Sequence, residues 1–266
     1  MRPSPTQKLD ARPAAELTVA ALADIPLVRP GDDIAELILG GLAGSGLKLQ
    51  RGDIVVIAQK IVSKAERRLV DLRTVTPSAR AEKLAAEVNK DPRLVELILR
   101  ESTEVVRYRR GILVVAHRNG CVLANAGIDA SNVGPGSDDC VLLLPEDCNR
   151  SCRDIRARLL ARTGVEAGVL VIDSLGRAWR NGTIGVALGA AGLPALLDLR
   201  GRPDLFGRQL RSTQVGIADE IAAAASLLMG QADEGTPVVL IRGLDLPAAA
   251  GSADDLIRPR ELDLFR

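Results

Sequence analysis

The amino-acid sequence predicts an α+β fold, with mixed or antiparallel sheets and packed helices, on three observations. Helical periodicity appears in several separated segments. β-Branched runs are joined by hairpin signals such as Asn119-Gly120. Strands and helices do not alternate in the regular βαβ manner of a doubly wound sheet. With 266 residues the chain has material for one large domain or two small ones, enough to bury a full core.

Taken in order, Gly31-Asp32-Asp33 opens an amphipathic helix, IAELILGGLAGSG, with carboxylates at the end where the helix dipole favours them. The run DIVVIAQKIV after Arg51-Gly52 reads as a buried strand. PSARAEKLAAEVNKDPRLVELILRES gives two helices broken at Asp91-Pro92. EVVRYRRGILVVAHRNGCVLANAGID gives two or three strands. A helix over 151–163 starts from a Ser151 cap, and GVLVID is a strand ending at Asp173. An Ala-rich helix over 216–229 is closed by Gly230, and TPVVLIRGL is a last strand. Residues 1–20 are expected to form a loose N-terminal segment, 21–245 the main domain, and 246–266 a surface tail.

Composition excludes several functions. There are 35 Lys and Arg against 34 Asp and Glu, so no bulk charge suits a nucleic acid or an acidic membrane. Trp179, Tyr108, Phe206 and Phe265 are the only aromatic rings besides one imidazole, too few for a single-strand stacking platform. No apolar run spans a bilayer, and no secretory signal opens the chain. Four cysteines without a paired framework fit a reducing compartment, hence the cytoplasm. His117 is the single histidine, which rules out a multi-histidine zinc site, and its place beside Asn119-Gly120 predicts a surface position. Cys148 and Cys152 have no partners at metal-ligand spacing.

Four polar clusters interrupt apolar strands. In QKIVSKAE (59–66), Lys60 and Lys64 stand one helical turn apart and could meet a polyphosphate, though a solvated helix start fits equally. In NAGIDASNV (125–133), Asp129, Ser131 and Asn132 could hold a hard cation and a phosphate or base, or simply make an Asx-turn. In VIDSLGR (171–177), a carboxylate and a hydroxyl precede Gly176, and Arg177 and Arg180 could neutralise a transferring phosphoryl group or hold a substrate carboxylate. In MGQADEGTP (229–237), two glycines make backbone amides accessible, although a helix end and connector explain the same letters. No Walker A sequence and no GxGxxG follows a strand.

In combination, QKIVSKAE, AGIDASNV, DSLGRAWR, VVLIRGL, Pro26–Asp33 and Asp204–Leu210 resemble the coenzyme F420:L-glutamate ligases, over about residues 20–245. That resemblance implies a γ-glutamyl-ligase-like fold in an intertwined homodimer, GTP as co-substrate, and Mg²⁺ or Mn²⁺, two per site, with K⁺ a further candidate ion. It implies a deazaflavin coenzyme precursor and L-glutamate as substrates, joined through an acyl phosphate, with no nucleic-acid or membrane partner. By the same resemblance, Asp129, Asp173, Ser174 and Gln231 hold metal. Ile25, Pro26, Leu27, Val28, Gln59, Lys60, Lys64, Asn132, Met229, Gly230, Gln231, Ala232, Asp233, Glu234, Gly235 and Thr236 meet the nucleotide. Arg177 and Arg180 are the catalytic candidates, on their chemistry alone.

The chain departs from the family pattern at three places. Ser174 replaces a common Thr and keeps the hydroxyl. Gln231 replaces a carboxylate found in some members and brings no charge. Asn181-Gly182-Thr183-Ile184-Gly185 lacks a Thr-Asp pair common in bacterial members, which leaves the acceptor and tail length open. Without a nitroreductase-like extension, ligation without flavin-dependent reduction is expected. The alternatives are the same chemistry on another oligoglutamylated cofactor, and a non-catalytic nucleotide- or coenzyme-binding homologue.

Overall fold

The computed structural model describes residues 16–131, 139–247 and 250–264. Its centre is a five-stranded sheet of β1 (Thr18–Ala21), β2 (Ile54–Ala58), β8 (Gly168–Arg177), β9 (Arg180–Ala191) and β12 (Val238–Arg242), in the order β1-β12-β2-β8-β9. Only β2 and β8 run parallel; the other neighbours are antiparallel. The expected α+β class and mixed sheet are therefore present.

Both faces of this sheet are buried, which explains continuous apolar runs where alternation would mark a half-exposed strand. Val55, Ile57, Val169, Val171 and Leu240 face one cluster, with α1 (Ile34–Gly44) and α5 (Cys148–Thr163). Val56, Leu170, Ile172, Val239 and Ile241 face the other, with α6 (Ile217–Met229). Burying each such side chain contributes about 1.5–3 kcal/mol, against about 0–1 for an exposed ion pair, so the central strands dominate stability. Some ion pairs are sheltered, and one of them ties two central strands together. Asp53, 1% accessible, accepts from Arg242 Nε at 2.8 Å and Nη2 at 2.7 Å, locking the end of β12 to the entry of β2.

A second group of elements carries its own core. It comprises α3 (Ala79–Val88), α4 (Pro92–Arg100) and the sheet of β4 (Ser102–Arg109), β5 (Ile112–His117) and β6 (Val122–Ala124), with β3 (Leu69–Asp71) paired to β7 (Cys140–Leu142). The helix break at Asp91-Pro92 is as expected: Asp91 caps α4 and Pro92 is its first residue.

Several boundaries differ from the sequence reading. DIVVIAQKIV is not one strand: β2 stops at Ala58 and α2 (Gln59–Ala65) begins immediately, with Ile61 and Val62 buried on a helix despite their β-branching. Ser151 is not the cap of α5. Asp147 is, accepting from Arg150 N, and Ser151 lies inside the helix bonded to Glu66. β8 passes through Asp173 to Arg177 and forms a long hairpin with β9. His117 is buried rather than exposed; its Nδ1 accepts from Asn119 N at 3.0 Å, and Nε2 faces Glu101 at 3.6 Å. Residues 18–20 belong to β1 rather than to a loose segment, while residues 1–15 lie outside the described residues.

The tail is also packed. Asn149 Oδ1 accepts from Ala190 N at 3.0 Å and from Ala253 N at 2.9 Å, and its Nδ2 donates to Asp254 at 3.0 Å. A buried asparagine on α5 thus pins both the outer edge of β9 and the short 3-10 turn Ala253–Leu256. Asp219 Oδ1, from α6, accepts from Ala187 N at 2.9 Å on the same edge. These side chains occupy donors that an open sheet edge would leave exposed.

Candidate active-site cleft

The register brings four chain ends to one side of the sheet. Ala58 pairs with Ile172 in the parallel ladder, Val238 with Ile57, and Ala21 with Val239. The exits of β2, β8 and β1 and the entry to β12 therefore open together. Ligands bind at the carboxyl ends of parallel strands for this reason: backbone and side chains converge there without being consumed by the ladder. A cavity of about 1500 Å³ fills this end.

The loop carrying Asp129 closes the cavity from the second group of elements. Asn125, Ala126 and Gly127 take φ of 51°, 56° and 65°, a tight left-handed turn. A Cβ at Gly127 would stand 2.9 Å from Leu123 and Leu144, so the turn requires glycine. Asp129 then pairs its backbone with Leu142 and presents its carboxylate inward.

That carboxylate is held on both oxygens. Lys60 Nζ lies 2.6 Å from Oδ2, and Ser131 donates to Oδ1 from its N at 2.6 Å and its Oγ at 2.7 Å. The Asx-turn alternative is therefore realised, with Lys60 added as an ion-pair partner. Burial opposes ionisation of Asp129, but the Lys60 and Ser131 bonds hold it below the usual carboxylate range. Asp173 contrasts with it. Burial pushes its carboxyl up to about 6, and the nearby Asp129 charge pushes the same way. Lys64 is held below the usual lysine range, by burial and by the charge of Lys60.

Every expected nucleotide and metal residue that is described lines this cleft: Ile25–Val28, Gln59, Lys60, Lys64, Asp129, Asp173, Ser174 and Met229–Thr236. Asn132 lies outside the described residues. Gln59 is buried, accepts from Ser63 Oγ at 2.8 Å, and leaves Nε2 without a hydrogen-bond partner among the described residues. A buried, unused donor on a cavity wall suits a bound acceptor. Arg177 and Arg180 are not brought in. They stand exposed at the tip of the β8–β9 hairpin, outside the cleft lining, with Arg177 Nη1 3.4 Å from Gly182 O. Thr183 and Ser226 also contribute hydroxyls to the wall. The sequence names Thr183 only within the departing segment 181–185 and gives no signal for Ser226; the fold places both.

The loop 230–236 also differs from expectation. Its amides are not all open: Glu234 folds back to accept from Ala232 N at 2.8 Å, and its carboxyl is held low by the N–H groups of Ala232, Glu234 and Gln231. A Cβ on Gly230 would stand 2.0 Å from this carboxylate, so the arrangement needs the glycine.

A divalent cation fits the donors present. Among the described residues no three His, Cys, Asp or Glu side chains converge, which does not suit a closed zinc-type cage. Two carboxylates with a neighbouring hydroxyl are hard oxygen donors, and they suit an Mg²⁺-type ion completed by water and substrate phosphates.

The fold and this cleft define an α+β enzyme that opposes lysines and carboxylates at the ends of a mixed sheet. The chain belongs to the F420-0:gamma-glutamyl ligase family, whose model matches residues 23–243, and it is a ligase. It is 47% identical to the coenzyme F420:L-glutamate ligase of Methanopyrus kandleri over 243 residues, covering 90% of this chain and 93% of that one. Identity to the enzyme of the same name from Methanothermobacter thermautotrophicus is 47% over 252 residues, covering 94% and 99%. For the Archaeoglobus fulgidus relative it is 43% over 242 residues, covering 91% and 93%.

Proposed function

We propose that this protein joins L-glutamate through γ-linked amide bonds to the deazaflavin precursor of coenzyme F420, using GTP and a divalent cation, Mg²⁺ or Mn²⁺. One observation carries the reading: the two lysines and two carboxylates that the family resemblance singles out meet in a single cleft. The cavity, at about 1500 Å³, exceeds the roughly 300–1000 Å³ of ordinary small-molecule sites and has room for more than one substrate.

A carboxylate resists amide formation because oxide is a poor leaving group. Transfer of the GTP γ-phosphoryl to the acceptor's carboxylate gives an acyl phosphate and GDP. The glutamate amine then attacks the acyl carbon, and phosphate leaves. Lys60 and Lys64 bring positive charge to the phosphates, and Gln59 Nε2 supplies a buried donor to the nucleotide. Asp129 and Asp173 would hold the cation, with Ser174 and Gln231 as neutral oxygen donors beside them. When bound, the cation would neutralise charge on the phosphoryl oxygens. The family resemblance implies a homodimer, in which a second copy could cover exposed apolar side chains such as Leu227 and Phe206. A cytoplasmic setting accords with the four free cysteines.

The test is mass spectrometry of the deazaflavin precursor after incubation with protein, GTP, L-glutamate and Mn²⁺. A GTP-dependent ladder of glutamate increments is expected. GTP breakdown with no mass shift would move the chemistry to another acceptor. In the same assay Asp173→Asn should abolish turnover, and Lys64→Ala should weaken GTP more than glutamate.

A further inference from the structure

Helix α2 carries two polar side chains among the residues it buries. Gln59 is 1% accessible and Ser63 is fully buried, whereas Lys60 and Lys64 on the same helix stay partly open. Gln59 directly follows Ala58, the last residue of β2, and no side chain caps the helix there. The strand therefore fixes where Gln59 stands on the cleft wall. Ser63 follows four residues later, one turn along the same side of the helix.

Ser63 Oγ donates to Gln59 Oε1 at 2.8 Å. A serine inside a helix commonly returns its proton to the backbone carbonyl four residues earlier. Here the proton goes to the side chain of that same residue, and Ser63 Oγ makes no other hydrogen bond among the described residues. A primary amide has one accepting end and one donating end. With Oε1 committed to Ser63, the donating end is what remains, and Nε2 is buried without a partner among the described residues. Turning the amide over would give Nε2 to Ser63 Oγ and leave both the hydroxyl proton and Oε1 unmet. Two unmet groups in place of one disfavour that orientation in a buried site.

We infer that Ser63 is a positioning residue: its hydroxyl holds the Gln59 amide with Nε2 foremost, so that the cleft offers the nucleotide a preset donor. Gln59 lines the cavity, while Ser63 stands behind it, outside the lining. The inference rests on the proposed nucleotide site and deepens it, because it fixes the ligand atom opposite Gln59 as an acceptor oxygen or nitrogen. A ligand presenting an N–H at that point would face a second donor, and both would be left unpaired. An amide already held in the bound orientation also spares binding the cost of ordering it.

The test measures binding of GDP with Mn²⁺ to the full-length protein by calorimetry, for Ser63→Ala, Gln59→Glu and the double variant. Ser63→Ala should weaken GDP about three- to tenfold, the worth of one net hydrogen bond. Gln59→Glu keeps an oxygen for Ser63 but replaces Nε2 with a second acceptor, and should weaken GDP about tenfold or more. In that background Ser63→Ala should cost less than about twofold further, because Ser63 acts through the amide. A serine that merely supports the helix would subtract the same factor in both backgrounds, which overturns the inference. Unchanged affinity in Ser63→Ala overturns it, and so does a Gln59→Glu variant that binds GDP as well as wild type. Should Ser63→Ala fail to fold, Ser63→Cys fills the same space with a weak donor and carries the same expectations. Non-additive GDP losses without a glutamate ladder spare the inference and sink the ligase reading. A ladder with additive losses does the reverse, and no GDP binding by the wild type sinks both.

Discussion

Asp219 accepts the backbone N–H of Ala187 at 2.9 Å, directly beside a β-bulge. On either side of it Val171 pairs with Gly189 and Ile172 with Ala187, so Leu188 is the extra residue. The bulge stands opposite the point where β8 leaves the core and begins, at Asp173, to line the cleft. Such irregularities are common beside active sites, where extra twist sets the direction of the strand.

Asp219→Ala leaves the Ala187 donor unmet in a packed region and should cost about 1–3 kcal/mol by chemical unfolding. Asp219→Asn keeps an acceptor oxygen. Burial raises the Asp219 pKa, so its favourable contribution is full at low pH and lost as pH rises through the folded value. The Asn variant should therefore match or exceed wild-type stability at pH 8. An Ala variant as stable as wild type would remove Asp219 from any part in holding the bulge.

Asn149→Ala breaks three hydrogen bonds at once and should cost about 2–3 kcal/mol. It should also free the tail, so limited proteolysis would cut between β12 and residue 260 well before the core. Cleavage at the wild-type rate would mean that the packing of Gly251 against Leu193 O suffices to hold the segment.

Glu96 accepts from Ser78 N at 3.0 Å and Ser78 Oγ at 2.6 Å, and from Arg100 Nε at 2.8 Å. These bonds, the Ser78 hydroxyl foremost, pull its carboxyl to about 2 from an ordinary 4.5. A depressed pKa stabilises the fold above the unfolded value, and that stability is lost as pH falls from about 4.5 toward 2. Glu96→Gln should lower stability at pH 7 by about 1–2 kcal/mol and flatten the acid limb of the pH–stability curve. Parallel curves for the two proteins would contradict this.

Glu234 occupies backbone donors that an anionic ligand would otherwise take. Glu234→Ala should therefore lower the nucleotide KM by about two- to fivefold, the worth of one modest hydrogen-bonded competitor. A KM that rises would make Glu234 a direct contact instead.

Much of this arrangement can be read from the sequence. The helices around Ile34, Ala79 and Pro92 carry side-chain caps, and the one around Ile217 carries its Ala-rich periodicity and a closing Gly230, so their boundaries follow. All four polar clusters reach the cleft because each follows or precedes a buried strand. What the sequence hides is long-range. The β2–α2 junction at Gln59 has no side-chain cap, and β-branched Ile61 and Val62 are overruled by packing. His117 is drawn inside beside Glu101, which Arg68 and Arg118 also reach, a grouping with no local signature. Arg177 and Arg180 follow Asp173 closely in the chain, but strand extension carries them out of the cleft.

The strand order has a consequence for synthesis. β12, at 238–242, is the sole partner of β1 and separates it from β2. As the chain leaves the ribosome, its N-terminal strand has nothing to pair with until nearly all the other elements have emerged. β2 likewise lacks one of its two neighbours until then, whereas β8 has both of its own, β2 and β9, once residue 191 has emerged. The central sheet therefore closes as a late, whole-chain event, and a nascent chain halted before residue 238 leaves β1 and the β12-facing edge of β2 without partners.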